Sequence, residues 1–322
     1  MLNALLWILA VIVVVTTVLP LTNSVRWWVR MWDFPRVHIA VLALAVLLVS
    51  LPFAIAFKPV LLALMAAAFA YQAILIFPYT PIARTEIEKT TPGPDTDTIC
   101  LMAVNVLMEN DRYADLASII DREDPDVLLL METNAAWADG LSDVLARYAT
   151  VKSHVTDDHY GMIFATRLDV ENCEFLWPDG DDTPSLKATL RDRDGTGFNF
   201  IGLHPRPPVP GNSTKVRDRQ IKAAAERTSS TERPTICMGD FNDVAWSWTT
   251  RRFKHYGSFQ EPRVGRGMVS SFHADYPLIR LPIDQLFLTK DIKLVSFERL
   301  ENFGSDHFPI KTTVFVDPVK AT

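Results

Sequence analysis

Three apolar runs without a single Asp, Glu, Lys or Arg dominate the N-terminal part of the chain, at 2–21, 37–57 and 59–79. Each run is about 20 residues long, the length that a helix needs to cross ~30 Å of hydrocarbon. One such run would fit a buried helix of a soluble protein, whereas three in succession are typical of membrane proteins. The pattern predicts three transmembrane helices within residues 1–80.

The first run differs from a cleavable signal peptide. It lacks a basic segment in front, and it ends at Leu19-Pro20-Leu21 rather than at a small-residue cleavage site, so we expect a retained helix. The following stretch, 26–36, contains three Trp and three Arg residues. Amphipathic aromatic and basic side chains favour the headgroup layer, which predicts that this stretch lies at the membrane surface.

Charge divides the chain into two chemically different parts. Residues 1–83 carry a net charge of +3, and the remaining residues carry 28 basic and 37 acidic side chains, a net charge of −9. This division excludes a wholly soluble protein, and it excludes a polytopic transporter because most of the chain has the composition of a soluble domain. The acidic balance also provides no broad basic surface for sequence-independent binding of nucleic acid.

The C-terminal part, residues 98–322, follows a Pro-containing linker at 81–97 and alternates short apolar runs with helical patterns. Helices are predicted at 113–120 and 215–227. Short apolar runs bounded by turn residues predict strands at 98–105, 126–131, 161–166, 186–190, 198–203, 235–240, 283–288 and 310–315. The pattern indicates a mixed α/β domain of about 225 residues, which is long enough to bury a full core.

Two of the predicted strand regions are similar in sequence. TICLMAVN at 98–105 and TICMGDFN at 235–242 agree at the first three positions and at the eighth. Buried strands share a limited set of residues, so chance explains this match as well as a duplicated sheet does. A duplication would bring two strands, each with an Asn at its end, to one shared edge.

Polar side chains occur where several of these strands end, which is where a buried strand meets solvent. The set comprises Asn105, Glu132, His204, Asp240, Asn242, Asp306 and His307. Taken singly, an Asp or Asn there usually forms a turn with its own backbone, and a lone His is usually structural. Asp284 differs, because a carboxylate inside the apolar strand 283–288 is costly to bury unless it is paired or bound to metal. Together, these carboxylates, amides and imidazoles suit a magnesium-assisted phosphoryl site.

The segments that contain these residues resemble the endonuclease/exonuclease/phosphatase superfamily, which includes DNase I-like nucleases, abasic-site endonucleases, inositol polyphosphate 5-phosphatases and neutral sphingomyelinases. The matching segments are, in order, Asn105, Glu132 in LLMETN, His204 in GLHP, GDFN at 239–242, IDQLF at 283–287 and SDHFPI at 305–310. The resemblance covers the soluble domain and implies a four-layer, DNase I-like α/β sandwich of two mixed sheets behind the three transmembrane helices. One departure is Gln285, where many members have His or Arg.

The resemblance also implies how the site binds metal and substrate. Glu132, helped by Asn105, would hold Mg²⁺, or alternatively Mn²⁺, in an incomplete ligand shell that leaves positions for water and a phosphate oxygen. Asp306 would contact the metal or fix its loop, and Arg206 would contact the substrate.

The remaining residues would carry the chemistry. Asp240 would orient or deprotonate the attacking water, and Asn242 would donate to a phosphoryl oxygen. His307 would be the other donor, held as an imidazolium by Asp284. His204 would face the scissile phosphate from the opposite wall.

These expectations describe a membrane-anchored, magnesium-dependent phosphoesterase in which water attacks in line with the leaving oxygen. Anchoring raises the local concentration of membrane-borne substrates, which favours a lipid-linked phosphate. The alternatives are an endo- or exonuclease acting on DNA or RNA and a catalytically inactive, membrane-tethered binding module. The nuclease predicts steep salt dependence of binding, and the inactive module is disfavoured because every expected site position is filled.

Two signals conflict over the side of the membrane that carries the domain. With three spans, the first loop and the domain share a side, and the positive-inside count slightly favours the cytoplasmic face of a bacterial inner membrane. Bacterial membrane proteins of the teicoplanin-resistance type are similar in carrying three spans before such a domain, which implies an extracytoplasmic site.

Overall fold

The N-terminal apolar runs form a small helical bundle. In the computed structural model, which describes residues 1–177, 183–211, 213–229 and 233–317, helices precede the first strand. These are α1 (Leu2–Val18), α2 (Trp27–Arg30), α3 (Arg36–Ser50) and α4 (Lys58–Ile76). Helices α1, α3 and α4 pack together through small and apolar side chains such as Ala10, Ala43 and Leu61.

Two of the helical stretches, Leu2–Thr22 and Lys58–Tyr79, are long and apolar enough to cross a membrane. The middle stretch is shorter than the sequence predicts, because α3 ends at Ser50 rather than near residue 57. Its 15 residues extend over about 22 Å, less than the ~30 Å of the hydrocarbon core. Helix α3 is long enough to span the hydrocarbon core only if Trp27–Asp33 is counted with it, and the two meet at a bend of 71°. The structure therefore supports two or three spans.

Hydrogen bonds between polar side chains join the three helices of the bundle. The guanidinium of Arg36 donates to Gln72 Oε1 at 3.0 Å, and Gln72 Nε2 donates to Thr17 Oγ1 at 3.0 Å. Arg36 also pairs with the carboxylate of Asp33, and both side chains are buried. A buried charge is costly without a partner, so these contacts explain how an apolar bundle accommodates ionic side chains.

The soluble domain contains eleven strands and five α-helices within the described residues. The strands are β1 (Ile99–Asn105), β2 (Val127–Met131), β3 (Thr150–His154), β4 (Met162–Thr166), β5 (Asp169–Leu176), β6 (Ser185–Arg191), β7 (Gly197–Leu203), β8 (Thr235–Asp240), β9 (Asp284–Leu288), β10 (Ile292–Arg299) and β11 (Ile310–Val316). The helices are α5 (Tyr113–Glu123), α6 (Ala135–Gly140), α7 (Ser142–Leu145), α8 (Lys215–Ser229) and α9 (Trp248–Tyr256).

The described strands form two mixed sheets of matching topology. The six-stranded sheet has the order β10-β11-β1-β2-β4-β3, and the five-stranded sheet has the order β5-β6-β7-β8-β9. Strand β1 pairs in parallel with β2 and antiparallel with β11, and β8 pairs in parallel with β7 and antiparallel with β9. The two strands with similar sequences therefore occupy equivalent positions in the two sheets.

The two sheets pack face to face, and helices cover both outer surfaces. Apolar side chains of β1, β2 and β4 meet those of β6, β7 and β8 in the central core. Because successive side chains of a strand alternate between its faces, the other residues of β1 and β2 pack on α5, α6 and α7. On the second sheet, Ile201 and Cys237 pack on Ile221 of α8 and Phe253 of α9. The predicted four-layer α/β sandwich is confirmed.

All eight predicted strands are present, with ends that shift by one residue at most. Strands β3, β5 and β10 and helices α6, α7 and α9 are absent from the prediction. The three missed strands all lie at sheet edges. Edge strands have more contact with water, so polar residues such as Lys152 in β3 and Glu171 in β5 interrupt the apolar run that identifies a buried strand.

The segment that joins the bundle to the soluble domain packs against that domain. Glu86, within the predicted linker 81–97, pairs with Lys254 of α9 at 2.6 Å. Just before the linker, Tyr79 Oη donates to Ala245 O at 2.8 Å. The membrane helices and the domain are therefore connected by direct contacts as well as by the chain.

Candidate active site

The predicted site residues converge at one edge of the two sheets, where β1, β2 and β8 end. Glu132 follows β2 with a left-handed backbone (φ 61°), and Asn242 follows β8 in the same region (φ 47°). Residues other than glycine rarely adopt this conformation, and such strain is concentrated at functional sites. Both side chains line one cleft.

Gly239 allows strand β8 to pass close to the end of β7. It has a φ of +143°, and a Cβ atom there would lie 2.1 Å from Leu203 O. Only glycine avoids both the strained backbone and the clash. The close approach brings His204, the residue after β7, to within 3.8 Å of Asp240, measured from Nε2 to Oδ2. The glycine of the GDFN segment thus allows His204 and Asp240 to lie close together.

Asn105 links two carboxylates of the site. Its Nδ2 donates to Glu132 Oε1 at 2.8 Å and to Asp240 Oδ2 at 3.1 Å. Its Oδ1 accepts the Leu107 N–H at 3.1 Å, which fixes the orientation of the amide. The amide therefore holds two acidic side chains side by side, and a direct bond from Asn105 to a metal stays a prediction. The ends of β1 and β8 do meet at one shared edge, as a duplicated sheet would require.

His307 and Asp284 form a buried pair. The Nδ1 atom of His307 lies 2.8 Å from Asp284 Oδ2, and the two side chains are 5% and 1% exposed. The other ring nitrogen, Nε2, lies 3.6 Å from Asp240 Oδ2. Ser305 fixes the loop, because its Oγ accepts the His307 N–H at 3.0 Å and donates to Asn105 O at 2.8 Å. This geometry leaves Nε2 as the ring atom that can reach a substrate.

Burial and neighbouring charge set the pKa values of His307 and Asp240. Burial alone would lower the pKa of His307, but the carboxylates of Asp284 and Asp240 raise it to about 10. The ring is therefore an imidazolium at neutral pH. Burial raises the pKa of Asp240 to about 7, although the charge of His307 opposes this change.

Glu132 and His204 face each other across the same edge. His204 Nε2 lies 3.8 Å from Glu132 Oε1. Burial would raise the pKa of Glu132, but the charge of His204 and the hydrogen bond from Asn105 bring it below its usual value. Burial lowers the pKa of His204, with Glu132 opposing that change. Glu132 is therefore ionised at neutral pH, the state that a metal ligand needs.

The site opens into a cleft of about 420 Å³ with a polar wall and an apolar wall. The polar wall comprises Glu132, Asp240, Asn242, Asp306 and His307, and the apolar wall comprises Met31, Phe34, Pro207, Pro208, Phe272 and Ile283. Met31 and Phe34 belong to the segment between α1 and α3, so the membrane part of the chain builds part of the cleft. No sequence pattern identified them, because their position depends on how the bundle docks on the domain.

The charge of the cleft suits a hard divalent cation. Carboxylates of Glu132, Asp240 and Asp306 face it, and carboxylate oxygens are the ligands that Mg²⁺ and Mn²⁺ prefer. A further donor set is Asp240, Asp284 and His307, whose ligand atoms all lie within 4.8 Å of one another. Asp284 and His307 already bond to each other, and binding of an ion by Glu132 and Asp306 stays a prediction.

Two predicted substrate-binding residues occupy different environments. Asn242 lines the cleft, with its N–H donating to Asp240 Oδ1 at 2.8 Å and its Nδ2 donating to Pro205 O at 3.0 Å. Arg206 is not among the described residues that line the cleft. Its guanidinium lies 5.1 Å from the ring centre of Tyr160. Contact between Arg206 and a substrate stays a prediction.

His159 is a site residue that the sequence patterns did not identify. It follows β3 in the loop before β4, with Nδ1 3.1 Å from Glu132 Oε2 and Nε2 3.2 Å from Glu109 Oε1. A histidine in a polar loop, away from any apolar run, carries no sequence signal that separates it from a surface residue. It supports the second oxygen of Glu132, whose first oxygen is held by Asn105.

Gln285 is buried and does not line the cleft among the described residues. Its Nε2 donates to Asp243 O at 3.0 Å, and its Oε1 accepts from Arg263. Arg263 also donates to Asp284 O at 2.6 Å. Gln285 therefore acts on Asp284 through Arg263, and its difference from the His or Arg of many members does not alter the residues that line the cleft.

Comparison with known proteins identifies the family and the fold. A family model described as the Endonuclease/Exonuclease/phosphatase family matches residues 102–307. Among solved structures, an endonuclease/exonuclease/phosphatase from Bacteroides vulgatus has a TM-score of 0.57 at 16% identity, covering 68% of this chain and 99% of that chain. D. rerio TDP2 complexed with single strand DNA product has a TM-score of 0.55 at 17% identity, covering 68% and 99%.

A mannosyl-6-phosphatase from Bacteroides thetaiotaomicron also shares the fold, with a TM-score of 0.52 at 17% identity, covering 67% of this chain and 99% of that chain. No curated protein matches the chain. At these identities the structural similarity establishes the fold alone. It does not show that this chain acts on the substrates of those proteins.

Glu132 should be required for metal binding. We expect Glu132→Gln to weaken binding of Mn²⁺ to the detergent-solubilised protein at least tenfold, measured by electron paramagnetic resonance, because the neutral amide is a poorer ligand. Glu109→Gln is the matched control: it removes one carboxylate from the other side of His159 and should change the affinity less than twofold. Unchanged Mn²⁺ affinity in Glu132→Gln would exclude Glu132 as a ligand.

Proposed function

Because the chain belongs to the endonuclease/exonuclease/phosphatase family, we propose that it is a membrane-anchored hydrolase of phosphate esters that uses Mg²⁺ or Mn²⁺. The observation that carries this proposal is the position of Glu132, Asp240 and His307 on one wall of a single cleft. Glu132 and Asp306 would hold the ion, which would neutralise charge on the phosphoryl group. The assembled wall argues against a catalytically inactive module.

Asp240 is the group that positions the attacking water and takes its proton. Its Oδ1 is fixed by the Asn242 N–H, and its Oδ2 lies on the side of the cleft that faces Asn105 and His307. A pKa of about 7 allows this carboxylate to accept a proton at neutral pH without holding it too tightly. Water then attacks phosphorus in line with the leaving oxygen.

His307 stabilises the negative charge that develops on the phosphoryl oxygens. Its imidazolium is held by Asp284, so Nε2 donates from a fixed position. Preorganised donors of this kind are worth more in a buried site than in water, because the protein does not reorganise during the reaction. The side-chain amide of Asn242 has a second hydrogen for the same purpose.

The composition of the cleft supports a lipid-linked phosphate as substrate. Met31 and Phe34 lie between two membrane helices in the chain, and they line the same cleft as the catalytic residues. A molecule whose phosphate reaches Asp240 can therefore place an apolar group against this wall and its chain in the adjacent bilayer. Contact with a lipid tail would favour binding by about 0.8 kcal/mol for each buried methylene group.

A nuclease is the second candidate, since a structural neighbour is complexed with single strand DNA product. The described residues that line the cleft include neither Lys nor Arg. Nucleic-acid binding draws much of its affinity from basic contacts to many phosphates, which this cleft does not offer. A substrate with one phosphate or phosphodiester group fits better.

We place the protein in a bacterial inner membrane, with three spans and a cytoplasmic domain. A reporter fused after Thr322 tests the topology: alkaline phosphatase should be inactive and green fluorescent protein should be fluorescent, because the positive-inside count favours this orientation. The opposite pair of results would place the active site outside the cytoplasm, as in the similar three-span proteins.

Asp240 should be essential for hydrolysis. We expect Asp240→Asn to lower kcat for a soluble phosphodiester at least 100-fold in the presence of Mg²⁺, since loss of a general base typically costs 10²–10⁴-fold. Glu301→Gln, which removes an exposed carboxylate paired with Arg122, should keep full activity. If Asp240→Asn retained full kcat with an unchanged melting temperature, Asp240 would have no part in the mechanism.

The apolar wall should select for lipid-linked substrates. We expect the double variant Met31→Ala and Phe34→Ala to lower kcat/KM for a long-chain phosphoester about tenfold or more, because two apolar contacts are lost. The same change should leave kcat/KM for the water-soluble headgroup ester within twofold. Leu278→Ala, at an exposed apolar residue outside the cleft, is the control. Equal losses with both substrates would show that the wall does not recognise a lipid.

A further inference from the structure

A second groove, separate from the catalytic cleft, lies where the end of the first span meets the soluble domain. It has a volume of about 190 Å³ and runs between α8 and α9. It shares no lining residue with the cleft among the described residues. Its lining residues come from the segment after α1, such as Val25, and from α8 and α9.

Direct contacts hold this groove beside the end of the first apolar helical stretch. The first apolar helical stretch ends at Thr22, and Val25 O accepts the Thr214 N–H at 2.8 Å just before α8 begins. On the other side, Arg30 Nη2 donates to Thr249 Oγ1 at 2.6 Å, near the start of α9. Both helices therefore begin beside the segment that leaves the bilayer, and the groove opens between them.

The groove combines an apolar floor with a basic rim. Ile221 and Phe253 are buried at its floor. Four of its lining side chains are basic and one, Asp218, is acidic. Asp218 Oδ1 lies 3.1 Å from the buried guanidinium of Arg217, which also pairs with Asp243, and Lys222 pairs with Glu226 at 3.1 Å. The groove therefore offers an excess of positive charge, in a domain whose net charge is negative.

Aromatic rings hold one of the basic groups in place. The guanidinium of Arg252 lies 4.3 Å from the ring centre of Trp248 and 5.0 Å from that of Tyr256. It also donates to the hydroxyl of Tyr256 at 2.6 Å. Although these residues belong to α9, tryptophan, tyrosine and arginine are the side chains that favour the headgroup layer, because each has an apolar part and a polar part.

We propose that this groove binds an anionic phospholipid of the surrounding bilayer. The apolar floor takes the upper part of an acyl chain, and Lys215, Arg219, Lys222 and Arg252 surround the headgroup phosphate. Charge complementarity and the position at the end of the first span both favour a lipid over a soluble ligand. This lipid is a bound partner and not the substrate, because the groove lies apart from Asp240 and His307.

Lipid titration of the full-length, detergent-solubilised protein tests the proposal. The Asp240→Asn background prevents turnover of the lipid and keeps this test independent of the proposed reaction. Isothermal titration should show dioctanoyl phosphatidylglycerol binding at least tenfold more tightly than dioctanoyl phosphatidylcholine. Removing charge by Arg219→Gln together with Arg252→Gln should weaken phosphatidylglycerol binding about 25-fold, since each basic side chain near a headgroup contributes roughly fivefold.

The controls separate this site from general surface charge and from folding defects. Lys152→Gln with Lys290→Gln removes two exposed basic residues elsewhere in the domain and should change the affinity less than twofold. Lys215→Gln with Lys222→Gln changes only exposed side chains of α8, so a loss of affinity there cannot come from the packing of Arg252. Equal affinity for the two lipids, equal loss in the Lys152 and Lys290 pair, or equally tight binding of glycerol phosphate without acyl chains would overturn the proposal.

Discussion

The structure depends on Asp33, whose carboxylate is held by two arginines of the N-terminal part and whose backbone oxygen contacts the soluble domain. Its carboxylate pairs with Arg36 and lies 3.4 Å from Arg30 Nη1, and all three side chains are at most 2% exposed. Its backbone oxygen accepts the indole N–H of Trp246 at 2.7 Å. Arg30 continues across the interface to Thr249. A buried charge that loses its partner costs several kcal/mol, so the two ion pairs fix the segment that presents Arg30 and the Asp33 carbonyl to the soluble domain.

The docked arrangement places one short segment of the chain in two functional environments. On one side, Met31 and Phe34 complete the apolar wall of the catalytic cleft. On the other side, Val25 and the residues beside it border the basic groove. Arg30 lies between them, hydrogen bonded to the start of α9. A lipid held in the groove, as proposed, would therefore contact the same segment that shapes the cleft.

The sequence predicted the fold and most of the site for a physical reason. Buried strands are continuous apolar runs, and the polar residues that follow them, such as Glu132 and Asp240, must lie at a sheet edge. Edge strands and the position of His159 were not predictable in this way, because exposed segments carry no apolar period. The sequence predicts no more of Met31 and Phe34 than that they belong to a stretch at the membrane surface. Their place in the cleft follows from tertiary contacts between Asp33 and Trp246, which no local pattern encodes.

The acidity of the domain has a consequence for how a substrate binds. Glu132, Asp240 and Asp306 face the cleft without a lysine or arginine among its described lining residues, so a phosphate group approaching this wall is repelled. His307 supplies one positive charge, and it is already shared with Asp284 and Asp240. A divalent cation at Glu132 would therefore serve substrate binding as well as the chemical step.

A polyanion such as nucleic acid would meet this repulsion at each further phosphate, whereas a single phosphate with an apolar tail gains from Met31 and Phe34. The carboxylates that would bind a metal ion thus also favour a lipid-linked substrate over a nucleic acid.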